Sequence, residues 1–379
     1  MVTSRPVINV LRNALFLLVL VVSRPSNSSG SDRDFGFKAL KPILQAHDDF
    51  LECLVERLSS ADHVLCGNAL RLVSALMRDA MANEKEGEWP KIVERLQALG
   101  VTAGVERLMR GDAMEDLAGP ILEFQDLTKE LMRRWRAVRV DFEREEIRDT
   151  LEQIHAASLP PAYTKPDSKK KSKAGVQQRM DGPIIDAENK WRRLGFRSEI
   201  PADDFEGMGY LGLMDLTAYV RRNRSAFRKA LLEQSVWPEE RRCPLVKISL
   251  STTMILYNLF RIESVEQGVR GHPFVNGSYT SRSEQNILPP LLKWENMHTA
   301  MVNAYLRLWK AAGAASGEFY KIEDLLTLVA SRVIGGSDRK RATEQIERQM
   351  DSISLEMVRQ WQLEDLDSMY NHAWGSDLQ

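Results

Sequence analysis

The glycine run at residues 207–212 is the part of this chain that most resembles a ligand-binding motif. It reads GMGYLG and matches G-x-G-x-x-G, the turn that holds a dinucleotide pyrophosphate against a helix N-terminus. That chemistry requires a buried strand just before the first glycine, whereas the preceding residues, PADDFE, are polar and carry carboxylates that would repel phosphate. We therefore interpret the run as a glycine-rich turn that opens a helix, and we predict no cofactor.

Other reactive side chains form no recognised catalytic or metal-binding pattern. The chain contains no P-loop sequence G-x-x-x-x-G-K-[ST] and no G-x-S-x-G nucleophile elbow. His63 and Cys66 are close in sequence, but a zinc site needs four ligands and a second pair at suitable spacing is missing. Cys66 is better explained as a small residue on an apolar helix face. The sequence therefore predicts a protein that is not an enzyme and holds no metal.

Charge and cysteine content exclude further classes of protein. Lys and Arg number 52 against 53 Asp and Glu, and the net charge of −1 argues against a nucleic-acid-binding protein. Three cysteines in 379 residues cannot form a disulfide framework, which favours a reducing, cytoplasmic compartment. Hydrophobic residues make up 43% of the chain, enough for real cores in two or three domains.

An apolar run near the N-terminus allows more than one interpretation. Residues 14–22 (ALFLLVLVV) follow Arg5 and Arg12, as the apolar core of a signal peptide follows its basic start. However, SRP stands where a small-x-small cleavage site is expected, and the run is far shorter than the roughly 20 residues that span a bilayer. We favour a buried helix at the edge of a helical repeat. A signal or anchor segment and a gene-model error stay open.

Helical periodicity dominates the rest of the chain. The spacing predicts one long amphipathic helix from residue 131 to 154, and the length of the apolar stretch 245–260 favours a central helix over a buried strand. Successive helices with short breaks predict an all-α protein with the character of an α-solenoid. Apolar residues three and four positions apart also mark residues 51–58, 65–76, 92–99, 297–308, 325–333 and 346–361.

Residues 159–180 have the composition of a linker. Six cations and one anion lie between Pro161 and Met180, and such an excess of like charge extends a chain and resists burial. We expect a basic disordered linker here. Its lysines at 165–173 are also candidates for transient contact with an anionic membrane surface.

Two sequence blocks after this linker resemble the signature of the ELMO (engulfment and cell motility) domain family. The first is W-x-x-L-G-F at residues 191–196, and the second is DFEGMGYLGL at residues 204–213. The pair at this separation is specific. Residues 50–80 and 88–135 resemble the armadillo-like region that precedes the domain in the larger ELMO scaffolds, and residues 288–366 resemble the helical segment that follows it.

The resemblance implies an all-α fold in which an armadillo-like helical solenoid is followed by an α-helical ELMO domain. We expect the armadillo-like region at residues 35–158 and the ELMO domain at 181–335. An apolar segment and flexible loop (1–34) would precede them, and a C-terminal helical extension (336–379) would follow. The larger scaffolds continue into a pleckstrin-homology domain and a proline-rich tail, so the chain resembles a form truncated at both ends.

The larger scaffolds bind Dock-family guanine-nucleotide exchange factors and promote Rac activation at membranes. The resemblance therefore implies a non-enzymatic, cytoplasmic adaptor, recruited to membranes, that acts in actin remodelling, cell motility, phagocytosis and polarity. Its expected partners are a Dock-family exchange factor and a Rho/Rac or Arf-like small GTPase. The motif residues that we expect to face a partner are Trp191, Phe196, Asp204, Glu206, Gly207 and Met208.

Two alternatives follow from departures from the family pattern. Single-domain relatives activate GTP hydrolysis by Arf-like GTPases with an arginine in D-F-R-G-M-G, where this chain has Glu206, so we expect no such activity. Arg192, Arg193 and Arg197 lie nearby and keep that alternative open. A truncated competitor of the full scaffold is the other alternative. In the C-terminal extension, Leu355, Val358 and Trp361 are the candidates for Dock binding as a helix in a groove.

Overall fold

Every regular element in the described residues is a helix, as the sequence predicts. The structure is a computed structural model, and an armadillo-like arrangement of its first helices stays a prediction. The predicted loop at 25–34 lies outside the described residues, and so does the predicted linker at 159–180 except for Leu159. The described residues are 7–23, 42, 46–47, 49–82, 89–112, 114–159, 190–263 and 287–375.

The helices are numbered α1 to α15 in chain order over the described residues. Helix α10 confirms the central helix expected from the apolar stretch at 245–260. The bounds are α1 Ile8–Val22, α2 Phe50–Glu56, α3 His63–Ala82, α4 Trp89–Ala98, α5 Val101–Arg110, α6 Met114–Ala137, α7 Glu145–Ser158, α8 Gly209–Arg222, α9 Arg224–Gln234, α10 Leu245–Leu259, α11 Pro289–Leu292, α12 Trp294–Ala312, α13 Phe319–Ala330, α14 Thr343–Ser352 and α15 Leu355–Gly375.

The chain divides into two compact units, and the first begins with the apolar N-terminal run. The first unit comprises Met1–Leu131, Ser264–Trp294 and Ser337–Thr343. Helix α1 packs along α3 and buries one stripe of its apolar side chains. None of the helices within the described residues is long and apolar enough to cross a membrane. The buried stripe of α1 consists of Leu11, Leu15, Val19 and Val22.

Polar contacts at the start of α3 hold α1 in place. The Leu65 amide donates to Asp62 Oδ1 at 2.9 Å, so Asp62 caps the helix N-terminus. Arg12 on α1 donates through Nε to the same carboxylate oxygen at 3.1 Å. The Arg12 guanidinium and the Leu65 amide together hold the pKa of Asp62 below its ordinary value.

The second unit carries both signature blocks. It comprises Met132–Glu263, Glu295–Gly336 and Glu344–Gln379. Helix α10 lies against α8 and α13, and α8 also contacts α7 and α9. Its interior includes a satisfied polar group, since Thr253 donates to the buried carboxylate of Asp215 at 2.7 Å.

The helix predicted from residue 131 to 154 is wrong as a single element. The structure ends α6 at residue 137 and begins α7 at residue 145. The break turns the carbonyl oxygen of Val138 towards Tyr210, whose amide donates to it at 2.9 Å. The apolar spacing continues through the break in Val138 and Phe142, so the periodicity alone could not reveal it, although Val138 is exposed in the structure.

Candidate functional site

Three aromatic side chains of the two signature blocks form one buried cluster. Trp191 and Phe196 meet edge to face, with ring centroids 5.5 Å apart, and Phe196 lies 6.1 Å from Phe205. Phe142 contacts the other side of the Trp191 ring at 6.5 Å. Each such pair adds about 0.5–1.5 kcal/mol beyond simple burial, so the signature aromatics stabilise the second unit.

Gly209 lets α8 begin directly against the end of α6. It has a φ of +52°, and a Cβ atom at this position would lie 2.0 Å from the carbonyl oxygen of Arg136 and 2.6 Å from that of Val138. Only glycine accepts both the left-handed backbone and this approach. The neighbouring amide of Tyr210 then reaches Val138. The second glycine of G-x-G-x-x-G therefore serves packing.

The third glycine of the run also serves packing. A Cβ atom on Gly212 would lie 2.7 Å from Leu250 Cδ2, so its absence lets α8 and α10 approach closely. The residues before the run form the 3₁₀ turn Pro201–Phe205, and no strand lies in residues 190–206, where the description of this unit resumes. These contacts confirm a glycine-rich turn that opens a helix, as the sequence predicts. They account for the run without a phosphate ligand.

An arginine at the end of α6, which the sequence analysis missed, holds the second signature block in place. Arg136 Nε donates to the carbonyl oxygen of Gly207 at 3.1 Å, and its Nη1 lies 2.9 Å from Glu263 Oε2. The same guanidinium lies 4.5 Å from the Tyr257 ring centroid, and the Tyr257 hydroxyl donates to Glu263 at 2.6 Å. Because Arg136 is 71 residues from Gly207 in sequence, no local pattern signals this contact.

The six motif residues predicted to face a partner divide into buried and exposed groups. The side chains of Trp191, Phe196 and Met208 are buried in the second unit. Asp204 is half-buried and accepts the amide of Arg197 at 2.9 Å, and its burial raises the pKa of its carboxyl group. Only two of the six remain fully exposed on the described surface, and they are Glu206 and Gly207.

The arginines near Glu206 are in different situations. Arg192 and Arg197 are exposed. Arg193 is half-buried, donates to the Ser158 hydroxyl, and its burial lowers the pKa of its guanidinium group. Arg136 already contacts Gly207, Glu263 and the Tyr257 ring. An arginine that projects towards a bound nucleotide would therefore have to come from the exposed pair.

A histidine beside the aromatic cluster has a strongly shifted pKa. Burial, together with the charges of Lys190 and Arg193, lowers the pKa of His155 from 6.5 to about 4. Its ring lies 6.1 Å from the Trp191 ring. His155 is therefore neutral around pH 7. Within the described residues, no three His, Cys, Asp or Glu side chains are grouped to hold a metal ion.

The Dock-binding candidates on α15 lie where the helix meets the body of the second unit. Val358 is fully buried, and Leu355 and Trp361 are half-buried. Arg332 holds this part of the helix, because it donates to the Trp361 carbonyl oxygen and to Glu364 and Asp365.

Beyond Trp361 the side chains of α15 are no longer packed into the second unit. Every side chain from residue 362 to 370 is exposed. Leu363, Leu366 and Tyr370 follow at i, i+3 and i+7, so they share one face, and Met369 lies beside them. We call these four residues the α15 stripe. Single exposed apolar residues are common on proteins, but an aligned set on a projecting helix is typical of a helix that binds a partner.

Comparison with known proteins connects this geometry to a family. The sequence pattern of the ELMO/CED-12 family matches residues 130–323. Engulfment and cell motility protein 3 of Mus musculus is 22% identical over 294 residues, which cover 75% of this chain and 37% of the relative. The Rattus norvegicus protein of the same name is 21% identical over an equal span. The Bos taurus protein is 22% identical over 151 residues, or 38% of this chain and 21% of the relative. The chain thus spans little more than a third of the mouse and rat relatives.

Proposed function

This chain belongs to the ELMO/CED-12 family, and on that premise we propose that it is a non-enzymatic adaptor. It binds a Dock-family guanine-nucleotide exchange factor and promotes signalling by a Rac-type GTPase to the actin cytoskeleton. The processes served are cell motility, phagocytosis and polarity. Support comes from the family membership and from relatives whose name refers to engulfment and cell motility.

The observation that carries the proposal is the α15 stripe. Residues 362–370 include three acidic side chains, Glu364, Asp365 and Asp367, and no basic one, and the single charge of Arg332 offsets only part of this negative charge. A partner that covers this helix should therefore offer an apolar groove with a basic rim. The acidic charge disfavours pairing with a second copy of the same helix, since like charges would face each other. We propose that the exchange factor offers such a groove to the helix.

Leu355, Val358 and Trp361 have a supporting role in this proposal. Val358 is fully buried and anchors the helix, so it acts on Dock binding by keeping the α15 stripe in place. Leu355 and Trp361 are half-buried and form the edge where the projecting part begins. Substituting them would change both the helix position and any partner contact.

The small GTPase is proposed to meet the exposed part of the signature, at Glu206 and Gly207. A carboxylate at this position opposes the charge that develops on a transferring phosphoryl group. Contact here therefore fits binding of a Rho/Rac or Arf-like GTPase without acceleration of its GTP hydrolysis. The GTPase-activating alternative would need Arg192 or Arg197 to act in place of the missing arginine.

Other parts of the proposal rest on the sequence. The domain bounds, with the armadillo-like region at 35–158 and the ELMO domain at 181–335, stay predictions. We propose a cytoplasmic protein recruited to membranes, with transient surface contact through the lysines at 165–173. Competition with a full-length scaffold is compatible with the same Dock contact, because a competitor would use the same surface.

Affinity purification of the full chain from its native cells, read by mass spectrometry, tests the adaptor proposal. A chain carrying Leu366→Glu serves as the comparison, because a charge in the α15 stripe should remove partners bound there. We expect a Dock-family exchange factor with the wild-type chain and its loss with the variant. Recovery of an Arf-like GTPase without any exchange factor would contradict the proposal.

A further inference from the structure

A basic segment of the first unit lies against the end of helix α5. Residues 337–343 (SDRKRAT) are called the basic strap. Arg339 Nη1 donates to the carbonyl oxygens of Met109 and Gly111 at 3.1 and 3.0 Å. Lys340 Nζ lies 2.9 Å from Asp112 Oδ1. Carbonyl groups at a helix C-terminus lack intrahelical partners and attract cations, so these contacts hold the basic strap down.

The last residue of the basic strap is buried in a charged cluster. Thr343 is 1% exposed, donates its hydroxyl to Glu106 Oε1 at 2.9 Å and accepts from Arg110 Nη2 at 2.7 Å. Glu106 is also paired with Arg110 at 2.6 Å and with Lys293 at 3.0 Å. One carboxylate and two cations surround the hydroxyl, and because Thr343 is almost fully buried there is no room for an added group while the strap is closed.

The sequence of the strap suggests what acts on this hydroxyl. Arg339, Lys340 and Arg341 precede Thr343 by four, three and two residues. Residues 337–342 are outside regular helices and Thr343 is the first residue of α14, so the segment can extend into an enzyme cleft once its contacts and the first turn of that helix open. A run of cations just before a hydroxyl complements the acidic substrate cleft of a basophilic protein kinase. We propose that Thr343 is a phosphorylation site for a basophilic Ser/Thr kinase, and that the closed strap conceals it.

The modification is an ordinary phosphoryl transfer from ATP. The bond between the γ-phosphorus and the bridging oxygen breaks, and a bond from that phosphorus to Thr343 Oγ1 forms. The hydroxyl proton passes to the catalytic base of the kinase, and ADP leaves. The kinase and ATP supply everything that the step needs.

Phosphorylation also keeps the strap open. The phosphate adds about −1.5 to −2 charge at neutral pH, next to the position that the Glu106 carboxylate occupies. Arg110 would attract the phosphate, but Thr343 is almost fully buried in the closed strap, so the phosphate cannot return to the cluster without displacing the Glu106 carboxylate from Arg110. The site is thus a switch in which opening permits modification and modification prevents closing.

The test is phosphorylation of the full chain by the catalytic subunit of the cyclic-AMP-dependent kinase, with the modified residue located by mass spectrometry. Glu106→Ala and Asp112→Asn weaken two separate contacts of the strap, and the second is at a side chain that is 90% exposed. Glu123→Gln is the matched control, because Glu123 pairs with Arg78 on the same unit and does not touch the strap.

We expect slow phosphorylation of Thr343 in the wild-type chain and rates about threefold to tenfold higher in both weakened variants. Glu123→Gln should match the wild type, and Thr343→Val should lose the modification. Amide exchange in residues 337–343 should rise after phosphorylation. The proposal is overturned if Thr343 takes up no phosphate in any chain, or if all chains react at the same rate.

Discussion

Arg332 and Trp361 form the contact that fixes the angle of α15 on the second unit. The guanidinium carbon lies 5.4 Å from the Trp361 ring centroid, and Arg332 Nη2 donates to the Trp361 carbonyl oxygen at 3.2 Å. The same group pairs with Glu364 and Asp365, and these pairings raise the pKa of Arg332. One arginine thus joins the last packed turn of the helix to its first exposed turn.

We predict that Arg332→Ala loosens α15 without unfolding the second unit. The helix would keep only the burial of Val358 and the partial burial of Leu355 and Trp361, so its amides should exchange faster, by about threefold or more. Hydrogen exchange read by mass spectrometry measures this peptide by peptide. Lys321→Ala, which removes an exposed pair with Glu318 on the same unit, is the control and should leave α15 unchanged. Unchanged amide exchange of α15 in Arg332→Ala would contradict the proposal that Arg332 holds the helix.

Two glycines of the signature should differ in how much stability they lose when each is replaced by alanine. Gly209→Ala places a Cβ atom 2.0 Å from a carbonyl oxygen and forces a positive φ, so we expect the free energy of unfolding to fall by more than about 3 kcal/mol. A Cβ atom on Gly207 would meet nothing within 4 Å, so Gly207→Ala should change the free energy of unfolding by less than about 0.5 kcal/mol.

Urea unfolding of both glycine variants beside the wild-type chain provides the measurement. A signature that binds phosphate would instead lose ligand binding in both variants at unchanged stability. Equal stability of the two variants would therefore contradict the packing explanation of the glycine run.

The sequence was sufficient to predict most helices but not the contacts between them. Long periodic segments such as α3 and the apolar α10 follow from spacing and length. The break after α6 does not, because Val138 and Phe142 continue the apolar spacing, while the turn itself is set by contacts with Gly209 and Tyr210 far along the chain. Tertiary contacts decided that boundary.

His155 should make the stability of the second unit depend on pH. Its pKa is about 4 in the folded chain against 6.5 as the ordinary value, so between these pH values only the unfolded chain binds the proton. Stability is therefore complete above pH 6.5 and falls as the pH drops towards 4. His155→Gln removes this dependence.

Thermal unfolding from about pH 7.5 to about pH 5.5 isolates the histidine effect, because most carboxyl groups stay ionised there. The wild-type midpoint should fall more steeply than that of His155→Gln as the pH is lowered. His63→Gln, at an exposed histidine of the first unit, should follow the wild type. Parallel curves for the wild type and His155→Gln would exclude a depressed pKa at His155.

Glu206 predicts the outcome of a GTP-hydrolysis assay. We expect the full chain to accelerate hydrolysis by Arf-like GTPases by less than about twofold, against the roughly 10³–10⁵-fold that an arginine finger supplies. Glu206→Ala should behave like the wild type. Stimulation that the wild-type chain shows and Glu206→Ala loses would mean that the domain is an activating protein after all.

The site was harder to predict than the fold for a physical reason. Trp191, Phe196 and Met208 have side chains equally suited to a core and to an interface, and only the structure shows that they are buried. Arg136 was missed because its contacts with Gly207 and Glu263 join distant parts of the chain. The α15 stripe follows the same spacing as a packed helix, and its exposure depends on where the body of the unit ends.

The central claim is that the exposed face of α15 binds a Dock-family exchange factor. The most direct measurement is calorimetric titration of the purified full chain with the purified exchange factor. Leu366→Glu is compared with Leu232→Glu, a substitution at an equally solvent-exposed leucine on α9 of the same unit. Both variants should fold, because both side chains already face water.

We predict binding by the wild-type chain and by Leu232→Glu. Leu366→Glu should weaken binding at least about tenfold, equivalent to about 1.4 kcal/mol, because a buried apolar contact is replaced by an unpaired charge. Binding that is the same in all three chains would place the contact elsewhere on the protein. Absence of binding by the wild-type chain would contradict the adaptor function itself.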